Sequence, residues 1–289
     1  MISFDPQFLV NGLTTGGTIA LAAIGLTLIF GVLNFINFAH GEYLTIGAYA
    51  AFVANVSLGL PILLSAILAV PVTVIFALVI DRVVFYPLRR QGAGALALLI
   101  TSVGVSIVVR NLIETIWSSD TRRYDLATGE AMSILGIRIT IVQIIIVVIS
   151  LLLMIGVHLL LTRTTLGVSM RATASNQSLA MSSGINTEQV VRWTWVIGAG
   201  LTAVAGVLIG IDTVLRPTMG FGLLLVMFAA VILGGIGDPY GAMLGGFVIG
   251  FVQEVSVAFI SASYKPAVAF MIMVALLVWK PEGLRGGKS

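Results

Sequence analysis

The reactive side chains of this chain are concentrated in a few places. Residues 31–52 read GVLNFINFAHGEYLTIGAYAAF, so Asn34, Asn37, His40 and Glu42 interrupt an otherwise apolar stretch. An imidazole two residues from a carboxylate raises the question of a metal site. A helical zinc site needs two histidines one turn apart and a further ligand, and the second histidine, His158, is far away in sequence. Arg110 and Glu114 are four apart, as are Asp212 and Arg216; each pair shares a helix face and is spaced to form an ion pair. Glu254 follows Gln253 and has no opposite charge close by in sequence. No nucleophile–base pair and no metal cluster can be assembled from these residues, so the sequence predicts no catalytic residue and no bound metal. Residues 286–289, Gly-Gly-Lys-Ser, imitate the end of the phosphate-binding loop G-x-x-x-x-G-K-[ST], but its first glycine would fall at Glu282. ATP-driven work would therefore need a separate subunit.

Composition says what must hold these groups. Of 289 residues, 58% are hydrophobic and only 9% charged, with mean hydropathy +1.11. Soluble domains carry about 25% charged residues, so this chain cannot cover itself with a water-facing surface. Its solvent is the bilayer, whose core a helix crosses with roughly 20 apolar residues. The 32 glycines suit close helix packing in lipid, and the absence of cysteine excludes disulfide and thiol chemistry. A net charge of +3 spread over loops does not predict nucleic-acid binding. The first seven residues, MISFDPQ, lack the basic character of a secretory leader, so the first apolar run is expected to stay as a helix.

Hydropathy and breakers predict an all-α, polytopic membrane helix bundle over 1–289, a single domain with eight or nine spans, some short or broken. The spans fall near 8–33, 43–56, 61–80, 95–117, 139–161, 193–214, 223–236, 242–260 and 266–279. The run 223–236 is short and ends in Gly-Gly-Ile-Gly, so it reads either as a ninth crossing or as a half-helix that does not cross fully. Between the spans lie a short loop at 86–92, a mixed-charge stretch at 118–138 and a long polar loop at 162–191. Arg89 and Arg90, then Arg163, Arg171 and Arg192, then Lys280, Arg285 and Lys288 fall on one side if all nine spans cross. The positive-inside rule makes that side cytoplasmic and places the N-terminus outside.

Charges inside a span cost about 2.5–3.5 kcal/mol each and usually face a bundle interior or water. The 110/114 and 212/216 pairs read either as a pathway lining or as structural pairing at span ends. Glu254 is open between the same two readings. In the loop 162–191, residues 173–183 are expected to form a short surface helix capped by Ser175 or Asn176 and stopped at Gly184. That helix reads either as a solvated connection or as a docking element for a cytoplasmic partner.

These pieces occur in a specific order. The order is Asn37-Phe38-Ala39-His40-Gly41-Glu42 with Gly47-Ala48-Tyr49, Met170-Arg171-Ala172 to Gly184-Ile185-Asn186, Gly234-Gly235-Ile236-Gly237-Asp238 to Gly241-Ala242, and Lys280-Pro281-Glu282-Gly283-Leu284. The set resembles the branched-chain amino acid ABC-transporter permeases, the shorter of the two paired permease types, over nearly the whole chain. The resemblance implies one half of the membrane part of an importer. Its partners would be two cytoplasmic ATPase subunits, a second paired permease and an external substrate-binding protein, in a bacterial-type plasma (inner) membrane. ATP and Mg would sit on the ATPases, with no cofactor on this chain. The family's docking signature E-A-A-x-x-x-G falls here on Ser178-Leu179-Ala180 and Gly184; Ala180 and Gly184 match, and the glutamate and first alanine do not. With Arg171 these are the expected ATPase-docking residues.

For the opening cluster two readings follow. Asn34, Asn37, His40 and Glu42 shape the substrate path or its inner gate, with Glu254 a further path residue. Alternatively they form a polar turn at the inner headgroup level. The same architecture serves urea and short amides, and a self-sufficient secondary transporter using Glu254 or the 110/114 pair is the reading from another class.

Overall fold

The computed structural model describes residues 6–126, 131–134, 137–279 and 283–284. The tail cations Lys280, Arg285 and Lys288, with Glu282 and the loop imitation at 286–289, lie outside the described residues, as do Glu130 and residues 1–5. The helices are α1 (Gln7–Leu33), α2 (His40–Phe52), α3 (Ile62–Ile80), α4 (Tyr86–Arg90), α5 (Ala95–Trp117), α6 (Ile141–Arg163), α7 (Thr165–Ser175), α8 (Gln177–Ser182), α9 (Thr187–Asp212), α10 (Met219–Gly234), α11 (Pro239–Ser256) and α12 (Lys265–Trp279). One antiparallel hairpin, β1 (Ala131–Ile134) and β2 (Ile137–Thr140), lies between α5 and α6, mostly within the stretch 118–138 read from sequence as polar and mixed in charge.

The protein is an all-α, multi-pass membrane bundle. Six helical stretches among the described residues are long and apolar enough to cross a membrane, fewer than the eight or nine expected. The shortfall lies in α2, with 13 residues, α10, with 16, and α11, which carries Gln253 and Glu254. The loop expected at 86–92 is mostly helix: α3 runs through a π-helical turn, Asp81–Phe85, into α4, giving one stretch of 29 residues from Ile62 to Arg90. α1 and α9 are the buried centre, and α3, α5, α6 and α12 are peripheral, turning Leu, Ile and Val side chains outward. In lipid such a surface needs no further cover.

The directions of the helices define two ends, proximal where α1 begins and distal where it finishes. α11 runs antiparallel along α1, with Gly250 against Gly16 and Gly246 against Ala20. α9 runs from the distal to the proximal end. Two helices start midway. His40, at the start of α2, lies against Ala22 of α1 and Thr202 of α9. Ala22 is 11 residues before Leu33, so α2 begins about 16 Å inside the distal end at 1.5 Å rise per residue. Residues 34–39 cover that return without helix, and six residues can reach about 20 Å. The same device recurs in reverse: after α9 ends at Asp212, residues 213–218 turn back, and α10 starts with Gly220 against Gly41 and Thr45 of α2.

α1–α2–α3 and α9–α10–α11 are therefore the same sequence of parts run in opposite directions. Each has a long helix, a six-residue return and a helix that starts midway. The third helix, α3 or α11, then packs on its own short helix and on the long helix of the other set. Inverted repeats of this kind place broken helices at the bilayer midplane.

Candidate functional site

Asparagines build the first return. Asn34 ends α1 in the left-handed region at φ 53°, its N–H donating to Phe30 O at 2.8 Å; asparagine tolerates this conformation better than most residues. Asn37 Oδ1 accepts from Ala39 N at 3.0 Å, and His40 N donates to Asn37 O at 3.3 Å. This is the local side-chain turn that lets asparagine start a helix. Phe35 is driven into an aromatic group, 5.2 Å from Phe85, which stacks on Trp195 at 5.7 Å.

The polar residues that follow are buried. Asn37, His40 and Glu42 are at most 1% exposed. His40 Nε2 lies 3.3 Å from Ala22 O and 2.8 Å from the Thr202 hydroxyl, which itself donates to Gly198 O at 2.8 Å. A carbonyl only accepts, so a proton on Nε2 is the tautomer that satisfies both contacts. His40 Nδ1, Glu42 Oε2 and Trp195 Nε1 are buried without a hydrogen-bond partner among the described residues, and such groups cost about 1–3 kcal/mol each. The reading of a polar turn at headgroup level does not fit this depth, because His40 and Glu42 stand beside the middle of α1.

Glu42 reaches the opposite way from His40. Its Oε1 accepts from Ser106 Oγ of α5 at 2.8 Å. One turn further along α5, Arg110 is half-buried, within electrostatic range of Glu42, and its guanidinium lies 4.6 Å from the centre of the Phe221 ring on α10. The pairing of Arg110 with Glu114 expected from spacing does not form, nor does that of Asp212 with Arg216: neither is among the ion pairs within 4.0 Å of the described residues. On α5 the arginine turns to α10 and α2, and the glutamate one turn on does not follow it. Asp212 is the last residue of α9, and Arg216 lies in the return that follows, so no shared helix face exists there.

Glu254 stands apart from this cluster. It is near the proximal end, where its Oε1 accepts from Lys265 Nζ at 2.7 Å and Thr15 Oγ1 at 2.8 Å, and Gln253 Nε2 donates to Lys265 O at 3.0 Å. Its counter-charge is thus 11 residues on, across the 257–264 turn, too far for local spacing to reveal.

At the distal end the long loop is mostly helix. α7 is capped by Thr164, whose Oγ1 accepts from Gly167 N at 3.0 Å; α8 is capped by Asn176, whose Oδ1 accepts from Leu179 N at 2.9 Å. The single helix expected at 173–183 is therefore two helices meeting at Asn176, and Ser175 closes the first. Gly184 stops the second at φ +83°, a conformation that costs other residues about 1–2 kcal/mol. Arg171, Ser178 and Leu179 are exposed, Leu179 by 65%, whereas Ala180 is buried beneath them. Arg89, Arg90, Arg163 and Arg192 end or begin their helices at this same end.

Comparison with known proteins covers the whole bundle. The family described as "Branched-chain amino acid transport system / permease component" matches residues 8–277. The chain is 38% identical to the high-affinity branched-chain amino acid transport system permease protein BraD of Pseudomonas aeruginosa, covering 97% of this chain and 95% of that protein. It is 35% identical to LivH, the corresponding permease protein of Escherichia coli K12, over 97% and 95%, and 27% identical to a probable LivH of Methanocaldococcus jannaschii over 98% and 93%. Among solved structures, PsaBC from Streptococcus pneumoniae in complex with Fab matches with a TM-score of 0.53 at 14% identity, over 93% of this chain and 91% of that one. At that identity the likeness shows the fold alone.

Proposed function

We propose a function from one premise: the chain belongs to the branched-chain amino acid transport system permease family. It is the membrane subunit of an ATP-driven importer for branched-chain or other neutral amino acids. It works with a second permease, two cytoplasmic ATPases that carry ATP and Mg, and an external protein that delivers substrate. The distal end, with Arg89, Arg90, Arg163 and Arg192, faces the cytoplasm of a bacterial-type plasma membrane, as the positive-inside rule requires, and the N-terminus is outside. α7 and α8 dock the ATPase through Arg171, Ser178 and Leu179, with Ala180 and Gly184 holding the shape. Asn34, Asn37, His40 and Glu42 line or gate the path where α2 and α10 meet.

The observation that carries this reading is the 38% identity over 97% of the chain to a protein titled a high-affinity branched-chain amino acid permease. The test is uptake into proteoliposomes holding the complete assembly, with leucine, isoleucine, valine and urea in competition. Leucine uptake should need ATP and the external binding protein, and urea should not compete. The chain alone, given an ion gradient, should move nothing; unaided transport, or transport of urea instead of leucine, would sink the reading.

A further inference from the structure

Glu42 of α2, Ser106 and Arg110 of α5, and Phe221 of α10 form one contiguous group beside the point where α2 and α10 meet. Gly220, the residue before Phe221, touches Gly41, the residue before Glu42. Three carboxylates among the described residues are buried: Glu42, Asp81 and Glu254. Asp81 and Glu254 each hold a base at 2.7 Å, Arg89 and Lys265 respectively. Glu42 does not. Ser106 takes its Oε1, and Arg110 stays beyond ion-pair distance of it, with no other carboxylate of the described residues within 4.0 Å. The guanidinium carbon lies over the Phe221 ring, 4.6 Å from its centre, and its N–H groups form no ion pair within 4.0 Å among the described residues. The edge of a guanidinium is a planar fork matched to a carboxylate. Phe221 is 43% exposed and Arg110 half-buried, so the group reaches the surface of the bundle on the Phe221 side.

We propose that Arg110 is the residue that receives the substrate's carboxylate in the pathway, with Glu42, restrained by Ser106, as the positioning counter-charge that keeps the guanidinium in place. The inference rests on the permease reading above and deepens it. It makes the path selective for carboxylate-bearing substrates such as zwitterionic amino acids, and against urea and amides, which offer a cation nothing to neutralise. A fixed charge inside the bilayer is expensive. Here it is half-open, unpaired and oriented, whereas the structural bases Arg89 and Lys265 are closed onto their acids.

The test uses the complete transporter with its binding protein in proteoliposomes, with radiolabelled leucine as probe. ATPase stimulation by the loaded binding protein is the second readout. Arg110→Gln should lower leucine uptake by about tenfold or more, the scale of a lost charge-assisted bidentate contact, while ATPase stimulation stays within roughly twofold of the parent, because that interaction is made at the bundle ends. Arg110→Lys should fall between parent and Gln variant, since a point charge replaces the fork. The double variant Glu42→Gln/Arg110→Gln separates the two roles: it should remain as poor as Arg110→Gln. Restored uptake in the double variant would mean that Arg110 only neutralises Glu42 and would overturn the proposal, as would parental uptake by Arg110→Gln. If the Gln variant does not assemble, the Lys variant decides, and a parental rate there overturns the assignment. Failure of the parent transporter to move any amino acid is a separate result, against the permease reading itself.

Discussion

The meeting of α2 and α10 can be tested with one methyl group. A Cβ at Gly41 would sit 2.5 Å from Gly220 O and 2.9 Å from Gly220 C, and a Cβ at Gly220 would meet Gly41 O still more closely. Contacts under 3.0 Å essentially do not occur, so Gly41→Ala alone must part the helices by at least 0.5 Å, the difference between 2.5 and 3.0. Overpacking of this kind costs about 1–3 kcal/mol. Gly222 supplies the control: it is on the same helix, two residues on, with nothing within 4 Å of its would-be Cβ. Alanine improves helix propensity by up to about 1 kcal/mol at either site, so the difference between Gly220→Ala and Gly222→Ala isolates packing. It should be about 1–3 kcal/mol, or roughly 5- to 150-fold in the folded-to-unfolded ratio. The assay is thermal unfolding of the purified protein in detergent, read by size-exclusion chromatography, with the two variants side by side. Gly222→Ala should match or exceed the parent, and Gly220→Ala should unfold at lower temperature. Equal stability of the two would refute the close approach of α2 and α10, and with it the midway start of both helices.

The proximal ion pair separates a structural role from a transport role. Glu254→Gln should destabilise the protein by about 1–3 kcal/mol, below the 3–5 of a fully buried pair because Lys265 is 28% exposed, and Glu254→Gln/Lys265→Met should regain most of that in unfolding and in uptake; loss of uptake with regained stability would instead return Glu254 to the path. Thr202→Val leaves His40 Nε2 with only the longer contact to Ala22 O, so it should cost about 1–2 kcal/mol in the same unfolding assay. Leu179→Asp changes an exposed side chain, so it should leave stability within about 0.5 kcal/mol while co-purification of the ATPase falls at least severalfold. Because the chain has no cysteine, Ser178→Cys and Asp120→Cys can be labelled singly; a membrane-impermeant maleimide on intact cells should reach position 120 and spare position 178.

Hydropathy made the long helices legible: α1 and α5 fall within a residue of the runs at 8–33 and 95–117. Caps were readable where one residue does the work, the side chain of Asn176 or the backbone freedom of Gly184. The returns at 34–39 and 213–218 were not. Hydropathy reports how apolar a stretch is and carries no sign for which way it runs, so a chain that turns back into the bundle reads like one that leaves it. Charge pairing failed for a related reason. Spacing of four predicts neighbours on an isolated helix, but Arg110 is drawn to Phe221 and Glu42, which lie 111 positions after it and 68 before it. The π-helical turn at Asp81–Phe85 left no sign either, because it alters hydrogen bonding without altering composition.

A charged residue that the fold needs is expected to be closed, because an isolated charge in a low-dielectric interior costs far more than a paired one. Asp81 and Glu254 obey this: each is under 10% exposed and each holds its base at 2.7 Å. Glu42 is buried more completely than either, yet its second oxygen has no partner and the cation in range of it is held on an aromatic face. Packing alone gives no reason to keep such an arrangement, since Gln at Glu42 and Met at Arg110 would fill similar space at lower cost. The arrangement has a use if a third group, carrying charge of its own, completes it in passing. The group sits where two helices begin side by side and run to opposite ends, so on the proposal above a charge admitted there meets the starts of both.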